Sequence, residues 1–283
     1  MKTKLAHLFI CLVAFPVLAV SPSGRIEVGV AAYTFRRLTA LEAIEKTKEC
    51  GGEVIEFFFW QRLSPEQPKV VTDMNLADEH IAALRAKLKA TGVRAVNAYF
   101  NNTPFKDKDG VEAGVRKMFE FARKLGLRGL TGEPPVEHLD LIEKFVKEYD
   151  IQLCFHNHPK DPKRPHYRNW DPAYLASLMQ KRDRRMGFCV DTGHLSRSGI
   201  DPVEAIKLLG PRVLSLHLKD VREAQYGSPD VPYGQGVGNI TGVLAELKRQ
   251  GFRGHIAVEY EQITDHLLDD VKHCVKFIRT HLQ

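Results

Sequence analysis

Four positions in this sequence, His156, Asp191, His217 and Glu259, carry side chains able to hold a divalent cation or move a proton. Each stands two residues after a small one, Cys154, Cys189, Ser215 and Ala257 respectively. Two imidazoles and two carboxylates suit a borderline ion such as Mn, Co, Zn or Fe better than Mg or Ca, which prefer all-oxygen shells. A lone His or Asp at a strand end is ordinarily a cap or a satisfied polar residue. Four of them at matching positions of successive strands make a metal site the better reading. Lys219, two residues beyond His217, would have its pKa lowered beside a cation, which makes it a candidate proton donor or acceptor. A salt bridge to Asp220 or Glu261 is the competing reading. Glu133 is a candidate base or additional ligand, or else a loop carboxylate ahead of Pro134 and Pro135.

Such residues meet only if the elements carrying them run in register. In the segment Ile151–His156, Ile151, Leu153 and Phe155 make one face of a strand, and Cys154 and His156, with His158 beyond, make the other. Met186–Asp191, Val213–Lys219 and His255–Glu261 repeat the scheme, with an apolar face for overlying helices and a small or polar face for a crowded interior. Four earlier runs, Glu27–Thr34, Val54–Phe59, Val93–Tyr99 and Leu127–Glu133, complete eight strand candidates, each followed by a helical segment. Thr39 with Glu42 and Asp201 with Glu204 fit capping boxes, and Gly51, Gly92, Gly126 and Gly251 fit helix C-termini. Eight strand–helix units predict a single (β/α)8 TIM barrel, whose chemistry sits at the C-terminal ends of its strands. An open doubly wound sheet is the alternative, but its glycine-rich first turn is missing.

With 283 residues, 43% hydrophobic and 27% charged, the chain can bury one large core. Forty-one Lys and Arg against 35 Asp and Glu, with no basic run, give little support to nucleic-acid or anionic-membrane binding. Lys2 and Lys4 followed by the apolar run Leu5–Val20 and small residues read as a secretory signal over 1–23, with the barrel over 24–283 and a periplasmic or secreted location. An N-terminal anchor competes with that reading, although the run falls short of the ~20 residues that span a bilayer. Cys50, Cys154, Cys189 and Cys274 are expected as core thiols.

The segments Phe155–Pro159, Val190–His194, Leu216–Asp220, Tyr233–Gly238 and Val258–Glu261, in this order and separation, resemble the xylose isomerase-like TIM-barrel superfamily. That group contains ketose 3-epimerases, hydroxypyruvate isomerase, inosose dehydratase and the class II abasic-site endonucleases, and the resemblance covers essentially the whole mature chain. It implies a divalent metal on Asp191, His217 and Glu259, with His194 beside the site. The fifth strand departs from the epimerases, which carry a metal-binding glutamate where this chain has His156, so a symmetric two-carboxylate mechanism is not expected unless Glu133 supplies the second carboxylate. His158, His194, Trp60 and Gly236 are the candidate substrate contacts, Trp60 by stacking on a sugar ring and Gly236 through loop amides. Trp60 as an ordinary core aromatic is the competing reading.

The resemblance implies chemistry through an enediolate-type anion. With no phosphate-binding loop in view, the leading expectation is a sugar isomerase or epimerase acting on a neutral carbohydrate. A lyase or hydratase acting on a keto-sugar or 3-keto-glycoside is the alternative, and a non-catalytic carbohydrate-binding protein is a further one. The endonuclease reading fails because the second and third strand ends, Glu56–Trp60 and Asn97–Asn101, lack the histidines of a multi-zinc centre. A homodimer is left open, since no surface stripe identifies an interface.

Overall fold

Runs rich in Val, Ile and Phe, too short for helices and flanked by capping signals, fold here as strands, and the amphipathic segments between them fold as helices that cover their outer faces. The computed structural model describes residues 24–106 and 109–283, so the signal expected over 1–23 lies outside the described residues. The strands are β1 (Glu27–Ala31), β2 (Val54–Phe58), β3 (Arg94–Tyr99), β4 (Gly129–Gly132), β5 (Gln152–His156), β6 (Met186–Asp191), β7 (Val213–Leu218) and β8 (His255–Val258). All neighbours pair in parallel, and β8 pairs with β1 to close the barrel. The covering helices are α1 (Ala40–Glu49), α2 (Asp78–Thr91), α3 (Val111–Leu125), α4 (Leu139–Tyr149), α5 (Pro172–Met179), α6 (Pro202–Leu209), α7 (Ile240–Arg249) and α8 (Leu267–Leu282). This is the expected (β/α)8 barrel, and no helix among the described residues is long and apolar enough to cross a membrane.

Local chemistry explains most boundaries. Thr39 and Glu42 form the reciprocal capping box that starts α1. At α6 the box is half realised: Asp201 accepts from the Val203 N–H at 2.8 Å, whereas Glu204 pairs with Lys207. Gly92 and Gly126 end α2 and α3 with φ of 73° and 76°, a conformation glycine adopts without a Cβ clash. Several strands stop a residue short of the predicted end, and two stop three residues short, β1 at Ala31 and β8 at Val258. The cause is Thr34, whose hydroxyl donates to Val258 O at 3.2 Å and accepts from the Tyr260 N–H at 3.0 Å, replacing the ladder with a side-chain bridge. The four cysteines expected in the core are all free and buried.

The outer faces of the strands pack under the helices through Leu153, Phe155, Phe188, Leu216 and Ile256, against Phe119, Phe145 and Ile278 among others. The inner faces carry buried polar residues. Glu27 is fully buried and paired with Arg94 at 2.6 Å and Arg128 at 2.7 Å, and Asn97 donates to Thr131 at 3.0 Å.

Closure also needs room. A Cβ at Gly29 of β1 would stand 1.7 Å from Val54 O of β2. Gly29→Ala is therefore expected to destabilise the fold by about 3 kcal/mol, the upper end of overpacking losses, read as a lower urea midpoint. A wild-type midpoint would show that the β1–β2 seam yields more easily than this contact implies.

Candidate active site

The floor of the site comes from β5–β8. His156 ends β5, Asp191 ends β6, His217 is the penultimate residue of β7, and Glu259 follows β8 directly. His217 Nδ1 lies 3.1 Å from His156 Nε2 and 3.0 Å from Glu259 Oε2, and His156 Nε2 lies 3.6 Å from Asp191 Oδ2. One ligand atom from each of the four falls within 4.8 Å of the others, and all four residues are buried. Asp191 Oδ2 is buried and ion-paired to Lys219 yet accepts no hydrogen bond, a free lone pair that a cation would satisfy. Burial pushes the His156 pKa down despite Asp191, which keeps the ring in the neutral form that ligates metals. At His217 burial also opposes charge, but Cys189, Glu259 and Glu56 outweigh it and hold the pKa well above the ordinary value. The same surroundings favour a cation on Nδ1. The donor set thus fits a divalent metal.

The Asp191-Thr192-Gly193-His194 segment has a physical account at every residue. Asp191 Oδ1 accepts from the His194 N–H at 2.7 Å, capping the short helix Thr192–Arg197 and leaving Oδ2 for the cluster. Asn157, just past β5, clamps the Asp191 backbone, accepting its N–H at 2.9 Å and donating to its carbonyl at 3.1 Å. The Thr192 hydroxyl donates to Lys219 O at 2.8 Å and accepts from the Lys219 N–H at 2.9 Å. Gly193 lets the lysine stem pass, since a Cβ there would lie 2.6 Å from Lys219 Cβ. His194 Nδ1 faces the Arg197 guanidinium at 3.2 Å, so Nε2 carries the proton on a ring that burial keeps neutral, with a pKa well below the ordinary value.

Lys219 is 1% exposed, and its Nζ lies 3.0 Å from each of Asp191, Glu259 and Glu261. Burial would lower its pKa, but the three carboxylates hold it well above the ordinary value. Of the two salt-bridge partners expected from the sequence, the one that pairs is Glu261 rather than Asp220. Arg197 pairs with Asp230 and, at 3.1 Å, with Glu261, so both cations behind the site are matched by carboxylates.

The rim comes from earlier elements and loops. Glu133, just past β4, pairs with His158 Nδ1 and accepts from Tyr167 Oη and Asn169 Nδ2, each at 2.7 Å. Burial opposes its ionisation, but His158, Asn169 and Tyr167 bring its pKa down to about 2. The His158 ring stacks on His194 at 5.0 Å and leaves Nε2 free of the carboxylate. Trp60, 42% exposed, has φ of 70°, a strained value for a bulky residue, pinned where its N–H donates to Thr72 O at 2.9 Å. With Tyr33, Phe58 and Tyr99 it forms an aromatic wall facing the histidines.

The pocket thus gathers His156, His158, His194, His217, Glu259 and Trp60, with Asp191 and Lys219 beneath and Glu133 behind His158. Gly236 is not brought to it. The Gly234, Gly236 and Gly238 amides donate to the Asp220 carboxylate at 2.9, 3.0 and 2.9 Å, so the expected sugar-binding loop is a socket for Asp220. Glu56 went unread: on β2, fully buried, it accepts from His217 Nε2 at 2.8 Å. Its signal was a lone carboxylate inside an otherwise apolar strand. Tyr167 and Asn169, in an aperiodic loop, offered no signal.

The model of the family described as xylose isomerase-like TIM barrel matches residues 44–281, and the chain belongs to that family. Among curated proteins it is similar to the rhizopine catabolism protein MocC of Rhizobium meliloti, 26% identical over 206 residues that cover 67% of this chain and 59% of that protein. It is also similar to the inosose dehydratase of Bacillus thuringiensis (strain Al Hakam), 27% identical over 136 residues that cover 42% of this chain and 43% of the relative. The matched stretches therefore span about half the length of these relatives. A solved D-tagatose 3-epimerase-like protein superposes with a TM-score of 0.70 at 18% identity, covering 91% of this chain and 98% of the other, a likeness of fold.

Asp191→Asn keeps the helix cap and Glu259→Gln keeps the side-chain shape, so neither is expected to unfold the barrel. Each is expected to weaken divalent-cation binding by at least about 100-fold, since a charged ligand is lost from a buried site. Equilibrium dialysis with elemental analysis reads this directly, and full occupancy in both variants would refute the ligand assignment.

Proposed function

We propose that the protein is a divalent-cation-dependent sugar isomerase or epimerase that moves a proton next to the carbonyl of a neutral carbohydrate. The observation that carries this reading is the meeting, in one pocket, of the buried donor set His156, Asp191, His217 and Glu259 with the Glu133–His158 dyad at its rim. A bound cation would polarise the substrate carbonyl and favour negative charge on the oxygens beside it. His158, its Nδ1–H held by Glu133, presents Nε2 as the base that takes the carbon-bound proton and returns it. His194 donates its Nε2–H to a substrate oxygen, and the aromatic wall around Trp60 packs against the apolar face of a sugar ring. The donor set favours Mn, Co, Zn or Fe over Mg.

Charge supports a neutral substrate. The pocket lining contains Glu56, Glu259 and Glu261 but neither Arg nor Lys, and Lys219 and Arg197 behind it are already matched by carboxylates. Apart from the cation itself, a phosphate entering here would meet three carboxylates and no Arg or Lys side chain.

Dehydration is the second reading. It is favoured by His156 standing where a second carboxylate would make the site symmetric, and by the similarity to inosose dehydratase. Proton abstraction is common to both reactions, and elimination adds loss of a hydroxyl on the neighbouring carbon.

Incubation of the Mn-loaded protein with neutral ketoses and cyclic keto-polyols in heavy water, followed by proton NMR, tests the proposal. Deuterium at the carbon next to the carbonyl of a rearranged sugar is the expected result, and loss of water would establish the dehydratase. His158→Asn is expected to lower kcat by about 100-fold or more while leaving cation binding intact. Phosphorylated analogues are expected to react more slowly than their neutral counterparts. Sugars bound but unchanged, with cation present, would point instead to a carbohydrate-binding protein.

A further inference from the structure

We propose that Glu56 is a positioning residue that sets cation affinity by fixing His217, and that a buried polar column from the opposite end of the barrel holds Glu56 in place. The inference rests on the reading that the four-residue cluster takes a cation, and it goes beyond the ligands to what orients one of them.

Glu56 is 2% exposed and approaches His217 across the barrel interior. Its Oε1 accepts from His217 Nε2 at 2.8 Å. With Nε2–H given to a carboxylate, the nitrogen left for a cation is Nδ1, the atom that faces His156 and Glu259. The bond therefore selects the ligating nitrogen, stops the ring from turning and raises its basicity as a ligand. The other oxygen, Oε2, accepts from His255 Nε2 at 3.3 Å. His255 Nδ1 in turn accepts from Arg128 Nη2 at 3.1 Å, Arg128 Nη1 donates to Glu27 at 2.7 Å, and Glu27 pairs with Arg94 at 2.6 Å. Arg94 is partly exposed at the N-terminal mouth, so the column runs from solvent at one end of the barrel to the cluster at the other. Without it Glu56 would be a buried carboxylate answered by one ring alone, an expensive arrangement in a dry interior.

The test is Co(II) titration of the full chain by calorimetry and absorption, with circular dichroism and thermal melting of each metal-free variant. Glu56→Gln, which keeps an acceptor oxygen but loses the charge, is expected to weaken binding about 10-fold. Glu56→Leu, which loses both, is expected to weaken it about 100-fold, within the range for partners that orient metal ligands. His255→Asn, which touches no proposed ligand, is expected to weaken binding several-fold. If Glu56→Leu fails to fold, the other two variants decide.

Wild-type Co(II) affinity in the folded variants would overturn the positioning role while leaving the cluster in place. A thiolate-to-cobalt charge-transfer band in the wild type would also overturn it, because Glu56, Cys189 and His217 could themselves bracket an ion. Failure of the wild-type protein to bind Co(II) would instead remove the cation reading, and this inference with it.

Discussion

Inside a closed eight-stranded barrel there is almost no water to solvate a charge, so each ionised group must be answered by another or by a bound ion. The protein meets that constraint in two ways along one axis. Toward the N-terminal mouth, Glu27 is matched by two arginines and the carboxylate–guanidinium pairing is complete. Toward the C-terminal mouth, Asp191, Glu259 and Glu261 crowd one ammonium, Lys219, and negative charge is in excess. One end is closed electrostatically, and the other carries the excess negative charge on which the cation reading rests. Glu56 and His255 lie between them, which is why a buried acid in β2 belongs to the chemistry of residues from β7 and β8.

What the chain discloses before folding follows from period. Strands with one apolar and one small or polar face announce both their type and the rung on which their polar residues meet, so β5–β8 and the floor of the site were legible. Strand ends were less so, because the Thr34 bridge between Val258 and Tyr260 is a contact between residues far apart in the chain. Glu56 was hidden for a different reason: Val54, Ile55, Phe57 and Phe58 around it are buried on both faces, which erases the alternation that exposed the others. The glycines at 234, 236 and 238 misled because the same requirement, backbone amides unobstructed by side chains, serves a sugar or an internal carboxylate equally well. Only the fold shows Asp220 already seated there.

The histidine at the end of β5 and the glutamate past β4 gain meaning together. An aspartate or glutamate at 156 would add a charge to a cluster already rich in carboxylates, whereas a neutral imidazole adds a ligand without one. A carboxylate stands instead at Glu133, one strand over and farther out, where it pairs with His158. Under the proposed function, proton transfer and cation holding fall to different residues, an asymmetry compatible with reactions that need one base and unhelpful to those that need two equivalent ones on opposite faces.

The strained backbone at Trp60 separates what the barrel does from what it accepts. The Trp60 backbone is held by the hydrogen bond from its N–H to Thr72 O and by the two-stranded ribbon of Gln61–Arg62 and Val71–Thr72, a small excursion after β2 that contributes no member of the cation cluster. The late strands carry the reactive floor, and the early loops carry the wall. Under the proposed function, such a division lets the wall be rebuilt by insertion or substitution while the floor stays unchanged, so one scaffold can serve substrates of quite different outline.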